Sequence, residues 1–278
     1  GRWLAELEDD RIRVVQLPGH SERSRARNAG LAATDRDFVL FLDDDDRLHP
    51  DAIDSLLHAL DAPRVVAAVG GETTFDDRGH RKRYPHPRRG STKDVRFDIL
   101  AGWSATPGRW LLRTQVVRDA GGWDESLTFA EDADLWLRVA NRGLVAVLPR
   151  PVLEKRVHPG QSSPEEAERI SEDFRLRFAE SLSGEERSRG VAAVGLRRER
   201  RAAEIAVSRG EFRTGLRHVA TAVKASPKIA SSSLVRPALS RSLRRGIVGL
   251  LFGRRFFGLI RNVRAKVRRV SNRMPGEE

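Results

Sequence analysis

Apolar and polar positions alternate differently in the two halves of the chain. "RWLAELEDD" reads as the closing turns of a helix. "RIRVVQL" (Arg11–Leu17) alternates polar and apolar residues around β-branched ones, which predicts a strand. "SERSRARNAGLAAT" follows a Pro-Gly turn, with Ser21 as its expected N-cap and Ala26, Ala29, Ala32 and Ala33 on one helical face. "DFVLFL" is a continuous apolar run, the pattern of a strand buried on both faces. "PDAIDSLLHAL" opens with proline and repeats Ile53, Leu56, Leu57 and Leu60 at helical spacing. "RVVAAVGG" is a further strand. Strands alternating with helices predict an α/β fold with a mostly parallel sheet flanked by helices.

The polar stretch from Glu72 to Thr92 is expected to be a hairpin or a mobile loop. "WLLR" and "LVAVLP" are short strands. Between them "EDADLWLRVANRG" is an amphipathic helix, with Leu135, Trp136 and Val139 on one side and Gly143 as its C-cap. "VLEKRVHPGQSS" leads into a loop. From Pro164 onward the pattern is helical, in three segments separated by glycine or proline. From Ser231 it becomes Ser-rich and then Arg-rich around one apolar patch, "GIVGLLFGRRFFGLI". The expected organisation is an α/β domain over 1–163, a helical extension over 164–230 and a basic, partly apolar tail over 231–278.

Charge sharpens this division. Sixteen of the 51 Lys/Arg residues lie between Phe212 and Gly276, a stretch without Asp or Glu. Residues 1–211 then hold 35 basic and 37 acidic residues and are nearly neutral. That balance, with no recognised nucleic-acid motif, argues against a nucleic-acid partner. Absence of cysteine removes disulfides and thiolate metal sites. No run reaches the roughly 18 apolar residues of a membrane-spanning helix.

The densest chemistry is "FVLFLDDDDRLHP", where Asp43–Asp46 follow directly on a buried run. Four adjacent carboxylates repel one another and call for a cation. Alternate members, Asp43 and Asp45, can turn toward one pocket, as a hard divalent ion requires. An acidic turn capping the helix at Pro50 accounts for the same residues structurally. Arg27 in "ARNAGL" can meet a phosphate or be plain helix surface, with Asn28 tying down the loop. Glu131 and Asp132 can be ordinary N-terminal helix acids or supply a general base. His158 in "KRVHPGQSS" is a metal or phosphate contact, or simply a loop histidine.

Taken in order, "RIRVV…SRARNAGL…DFVLFLDDDDRLHPDAI…GGWDE…AEDADLWLR…KRVHPGQSS" resembles the inverting glycosyltransferases of GT-A fold called family 2, from Arg11 to Ser163. The resemblance implies a GT-A-like, Rossmann-like sheet with a C-terminal helical extension. It implies a nucleotide-sugar donor, Mg²⁺ or Mn²⁺, and a hydroxyl acceptor of glycan or lipid-linked type. Asp43 and Asp44 would serve the donor with Arg27, and Asp46 could support them. Asp45, Asp43 and His158 would serve the metal. Asp132, or less favourably Glu131, would be the base. Acceptor contacts are expected in the variable stretch from Glu72 to Gly102. The family's opening strand, "P-x-Y/F-N"-like turn and second Asp-rich element have no counterpart before "GRWLAELEDD". The domain is therefore expected to be N-terminally truncated, with weak or no donor binding by this chain alone. In the tail, basic and apolar residues alternate at helical intervals, which fits an interfacial helix on anionic lipid as well as a helix packed on the domain or a disordered segment. The expected location is cytoplasmic, peripheral to the inner face of a membrane. The competing readings are a nucleotidyltransferase, a non-catalytic fragment with a binding role, and a basic nucleic-acid-binding protein.

Overall fold

The computed structural model describes all residues except 1–8, 19–21, 63, 78, 84–86, 88, 104–105, 158–164, 249 and 251–278. The helix expected in "RWLAELEDD" falls mostly outside them, as do Ser21, His158 and most of the tail. The first helix, α1 (Arg23–Ala33), leads to β1 (Phe38–Val39), β2 (Arg47–Leu48) and α2 (Ala52–Leu60). Then come β3 (Val65–Phe75), β4 (Arg81–Arg83), β5 (Ser91–Lys93) and α3 (Arg96–Leu100). A 3₁₀ turn at Pro107–Arg109 precedes β6 (Trp110–Arg113), α4 (Thr114–Asp119), α5 (Glu131–Ala140) and β7 (Leu144–Arg156). Four further helices follow: α6 (Glu165–Ser181), α7 (Gly184–Ser208), α8 (Phe212–Ala225) and α9 (Pro227–Ala230). Residues 236–248 are also helical.

The sheet runs β1-β6-β3-β7-β2, with β4 added to β3 and β5 to β7. The α/β class holds, but strand direction differs from expectation. Among the described residues only β3 and β7 pair in parallel, and the other five pairings are antiparallel. A parallel sheet requires a crossover helix between neighbouring strands. The α5 helix supplies one between β6 and β7, yet each of these instead flanks β3, on opposite sides. Arg11–Leu17 forms no ladder among the described residues, so Ile12, Val14 and Val15 stay exposed. Alternation marks a segment that can pair, but pairing needs a neighbour. The stretch after Glu72 resolves into a hairpin: β3 continues to Phe75 and turns at Asp76–His80 into β4, with Phe75 opposite Arg81.

Burial explains why these elements hold together. Leu56 and Leu60 of α2 are buried against one face of the sheet, beside Val65 and Ala68. Ile53, expected on that face, is 39% exposed, at the margin of the stripe. On the other face, Leu135, Trp136 and Val139 of α5 are fully buried. Gly143 is not the C-cap of α5: Asn141 takes that place. A Cβ at Gly143 would lie 2.5 Å from Val66 Cγ1 and 2.8 Å from the Arg64 carbonyl, so glycine is required by close approach to β3.

The helical extension is continuous with this core. Phe174, Ala179, Val194, Leu196 and Ala222 join one buried cluster with Trp110, Trp136 and Ile99. Val235 and Leu239, inside the expected tail, belong to the same cluster. Asp98 of α3 is buried; Lys93 Nζ donates to it at 2.9 Å, and the Ser232 hydroxyl donates to it as well. The first part of the tail is thus a structural element of the domain. No helix among the described residues is long and apolar enough to cross a membrane.

Candidate active site

The site starts from three short segments brought together by α1. The four aspartates follow β1 and its extended continuation. Asp46 N–H donates to the Asp43 carbonyl at 3.1 Å, closing a tight turn. The turn is pinned to the end of β7, because Arg156 N–H donates to Asp46 Oδ1 at 2.9 Å. Asp46 is the buried member, and Asp44 is exposed. Burial pushes the Asp46 carboxyl up to about 6; the Arg156 amide opposes this, while neighbouring Asp45 and Asp43 add to it.

Arg27 of α1 reaches across to this turn. Its guanidinium donates to Asp43 Oδ1 at 2.7 Å and to Glu131 Oε1 at 3.3 Å. It also lies over the Trp123 ring, 4.5 Å from the centroid. Phe41, two residues before Asp43, packs edge-on against the same indole at 5.0 Å. Arg23, one helical turn earlier on α1, adds a second pairing with Glu131 at 3.5 Å. Arg23 and Arg27 thus converge on the same buried carboxylate oxygen, Glu131 Oε1.

Asn28 holds the other side. Its amide donates to the Trp123 carbonyl at 2.9 Å and to Glu125 at 2.8 Å, and its Oδ1 accepts from Trp123 N–H at 2.8 Å. Gly122 adopts φ +67°, and a Cβ there would sit 2.8 Å from Asn28 Oδ1. Glycine is what lets the "GGWDE" loop approach α1. Beyond it Ala130 also takes a left-handed conformation, φ 60°, immediately before α5. A non-glycine residue there costs on the order of 1–3 kcal/mol and is retained where surrounding contacts fix it. Asp132, partly exposed at the first turn of α5, accepts the Ala133 N–H at 2.6 Å through Oδ1.

The fold therefore brings Arg27, Asp43 and Glu131 into direct contact, with Asp45 in the same turn as Asp43 and Asp132 next to Glu131. His158 lies outside the described residues. Sequence reading missed Arg23, Trp123 and Glu125 as members of the constellation. Arg23 carried a signal, since it lies four residues before Arg27 and so on the same helical face. Among the described residues no three acidic or histidine side chains converge into a metal cage. Asp43 and Asp45, two carboxylates on one turn, are the residues there that could hold a hard cation.

An α/β sheet with an acidic turn at a strand's end, bridged to a helix N-terminus, is similar in fold to GT-A glycosyltransferases. The sequence profile Glycosyl transferase family 2 matches residues 2–121, a stretch that includes α1 and the aspartate turn, and this part of the chain is similar to that family. The pre-mycofactocin glycosyltransferase of Mycobacterium tuberculosis is 34% identical over 149 residues, 48% of this chain and 29% of that protein. The O-antigen biosynthesis protein RfbC of Myxococcus xanthus is 31% identical over 141 residues, 50% of this chain and 10% of that protein. The chain thus spans less than a third of the length of either relative. The fold is similar to S. aureus TarS 1–349 in complex with UDP-GlcNAc, with TM-score 0.55, 18% identity, and coverage of 84% of this chain and 72% of that one.

Two outcomes test the geometry. Replacing Arg27 by Met leaves Glu131 buried with only the more distant Arg23, and should lower stability by about 3 kcal/mol in urea denaturation. Adding Glu131→Gln should recover much of that loss. Asp46 binds a proton more tightly folded than unfolded. Its contribution is therefore fully present below about pH 4 and lost as pH rises through about 6. Asp46→Asn keeps an acceptor for the Arg156 amide, so its stability relative to the parent should rise between about pH 4 and 6.5 and then level off, by up to roughly 3 kcal/mol. Melting temperatures across that range check it.

Proposed function

We propose that this domain transfers a sugar, with inversion, from a nucleotide-sugar to a hydroxyl of a cell-envelope glycan or glycolipid precursor. The observation that carries this reading is the Arg27 bridge, which sets the aspartate turn against the two acids opening α5. The family and the relatives named for glycosyl transfer and O-antigen biosynthesis support it. TarS, of similar fold, was crystallised with UDP-GlcNAc and with UDP, which supports a nucleotide-linked donor.

In this reading Asp43 and Asp44 face the nucleoside side of the donor, and Asp45 with Asp43 would hold Mg²⁺ or Mn²⁺. When bound, that cation offsets the charge developing on the departing diphosphate. Arg27 keeps Asp43 in place rather than acting as a free phosphate ligand, because its guanidinium already spans two carboxylates. Glu131 is engaged by Arg27 and Arg23 through the same oxygen, which disfavours it as a base. Asp132, more accessible at the first turn of α5, takes the acceptor's proton as its oxygen attacks the anomeric carbon from the face opposite the leaving group. Asp132→Asn should reduce transfer by roughly 10²–10⁴-fold with donor affinity retained. Asp45→Asn should weaken metal-dependent UDP binding in calorimetry. Full transfer by Asp132→Asn would remove the assigned base.

The same reading places the protein at an anionic membrane surface through its C-terminal segment. Leu243, Ile247 and Leu250 are exposed at helical spacing, beside Arg244 and Arg245. Apolar and basic residues so arranged favour the interface of anionic bilayers. Leu243→Asp combined with Ile247→Asp should abolish co-sedimentation with phosphatidylglycerol vesicles while leaving the fold intact. Because Val235 and Leu239 are core residues, these substitutions test the idea more cleanly than deleting the segment.

A further inference from the structure

A cavity of about 280 Å³ opens between the sheet and the C-terminal helices, away from the aspartate turn. Its walls come from Gly70–Glu72 of β3, the Ala101–Trp103 turn, Arg109, Arg200 of α7 and residues 233–241. Its volume lies at the lower end of the range for small-molecule sites, which suits one sugar residue better than a whole nucleotide-sugar.

The lining has the chemistry of a saccharide subsite. Trp103 offers an aromatic surface of the kind that the C–H face of a pyranose covers. Around it polar groups are held in fixed positions. Glu72 Oε2 accepts from the Thr106 hydroxyl at 3.1 Å and from Arg109 at 3.3 Å, and Lys155 Nζ donates to that hydroxyl at 3.3 Å. Arg109 is anchored by Nε donating to the Gly70 carbonyl at 2.7 Å. Its burial lowers its pKa, while the neighbouring Glu72 carboxylate opposes that shift. Arg200 pairs with Glu204 at 2.8 Å, so both of these arginines are neutralised locally. Arg241 lines the same cavity, so its charged lining is three arginines, Arg109, Arg200 and Arg241, against one carboxylate, Glu72.

The cavity is mechanically joined to the candidate active site. A Cβ on Gly108, next to Arg109, would lie 3.0 Å from Leu42, the residue before Asp43. Along β3, Glu72 is opposite Leu153 and Phe75 opposite Arg156, whose amide holds Asp46. Three residues of strand separate the two sites by roughly 10 Å. A chain lying from one to the other has the length of a disaccharide or a little more.

We infer that this cavity binds an anionic sugar residue of the acceptor, stacked on Trp103, hydrogen-bonded by Glu72 and Arg109, and paired with Arg241. The inference rests on the transferase reading, but its test is separable from it. Methyl β-D-glucuronide is titrated into the full 278-residue protein and followed by saturation-transfer NMR, with methyl β-D-glucoside as the neutral counterpart. The glucuronide should bind more tightly than the glucoside. Trp103→Ala and Arg241→Gln should each weaken it about three- to tenfold. Neither substitution should change UDP binding, and Asp43→Asn should leave glucuronide binding unchanged. Equal binding of the two sugars, or undiminished glucuronide binding in Trp103→Ala, overturns the inference. Glucuronide binding without any UDP binding leaves the cavity assignment standing.

Discussion

One guanidinium holds the candidate site together. Arg27 sits between Asp43, 16 residues away in sequence, and Glu131, 104 residues away. Without a cation between them, the aspartate turn and the acidic start of α5 would repel. The side chains of Arg27 and Glu131 are only 11% and 8% exposed, so solvent screens the pair weakly and each charge depends on the other. The Trp123 ring beneath the guanidinium adds about 0.5–2 kcal/mol and fixes its plane. Arginine suits this position and lysine does not, because a planar fork can meet two carboxylates and an aromatic face at once.

That interaction is seated on an aromatic chain running through the core. Phe41 meets Trp123 edge-on, Trp123 meets Trp136 at 5.7 Å, Trp136 stacks on Trp110 at 4.6 Å, and Trp110 contacts Trp103 at 5.9 Å. Three of these tryptophans are fully buried, and the indole N–H groups of Trp110 and Trp123 have no partner. Each unpaired donor costs about 1–3 kcal/mol, which the large apolar area of the rings offsets. The chain begins beneath Arg27 and ends at the sugar-sized cavity, so one rigid wall supports both proposed subsites.

The helices after β7 complete this wall rather than forming an appendage. Leu196 and Ala222 are fully buried in the cluster that holds Trp136, and the Ser232–Asp98 and Lys93–Asp98 contacts fasten the following segment to α3. Arg200 and Arg241 reach the cavity only because of this packing.

The amino-acid pattern alone determined a good deal. Helical spacing in "SRARNAGLAA" and "EDADLWLRVA" fixed α1 and α5, since 3.6-residue periodicity is local and needs no partner to be legible. The run "FVLFLDDDD" marked the acidic turn, because adjacent like charges after a buried segment are conspicuous wherever the chain goes. Strand direction and partnership were decided only in three dimensions. Arg11–Leu17 has a strand's alternation yet forms no ladder among the described residues, while β3 runs on through the polar residues Glu72–Thr74. Gly143 illustrates the same limit: a glycine after a helix signals a cap, and only the approach of Val66 reveals a packing constraint. The roles of Trp103 and Arg241 were likewise invisible along the chain, because a side chain's partner across the core depends on folded geometry and leaves no periodic trace in sequence.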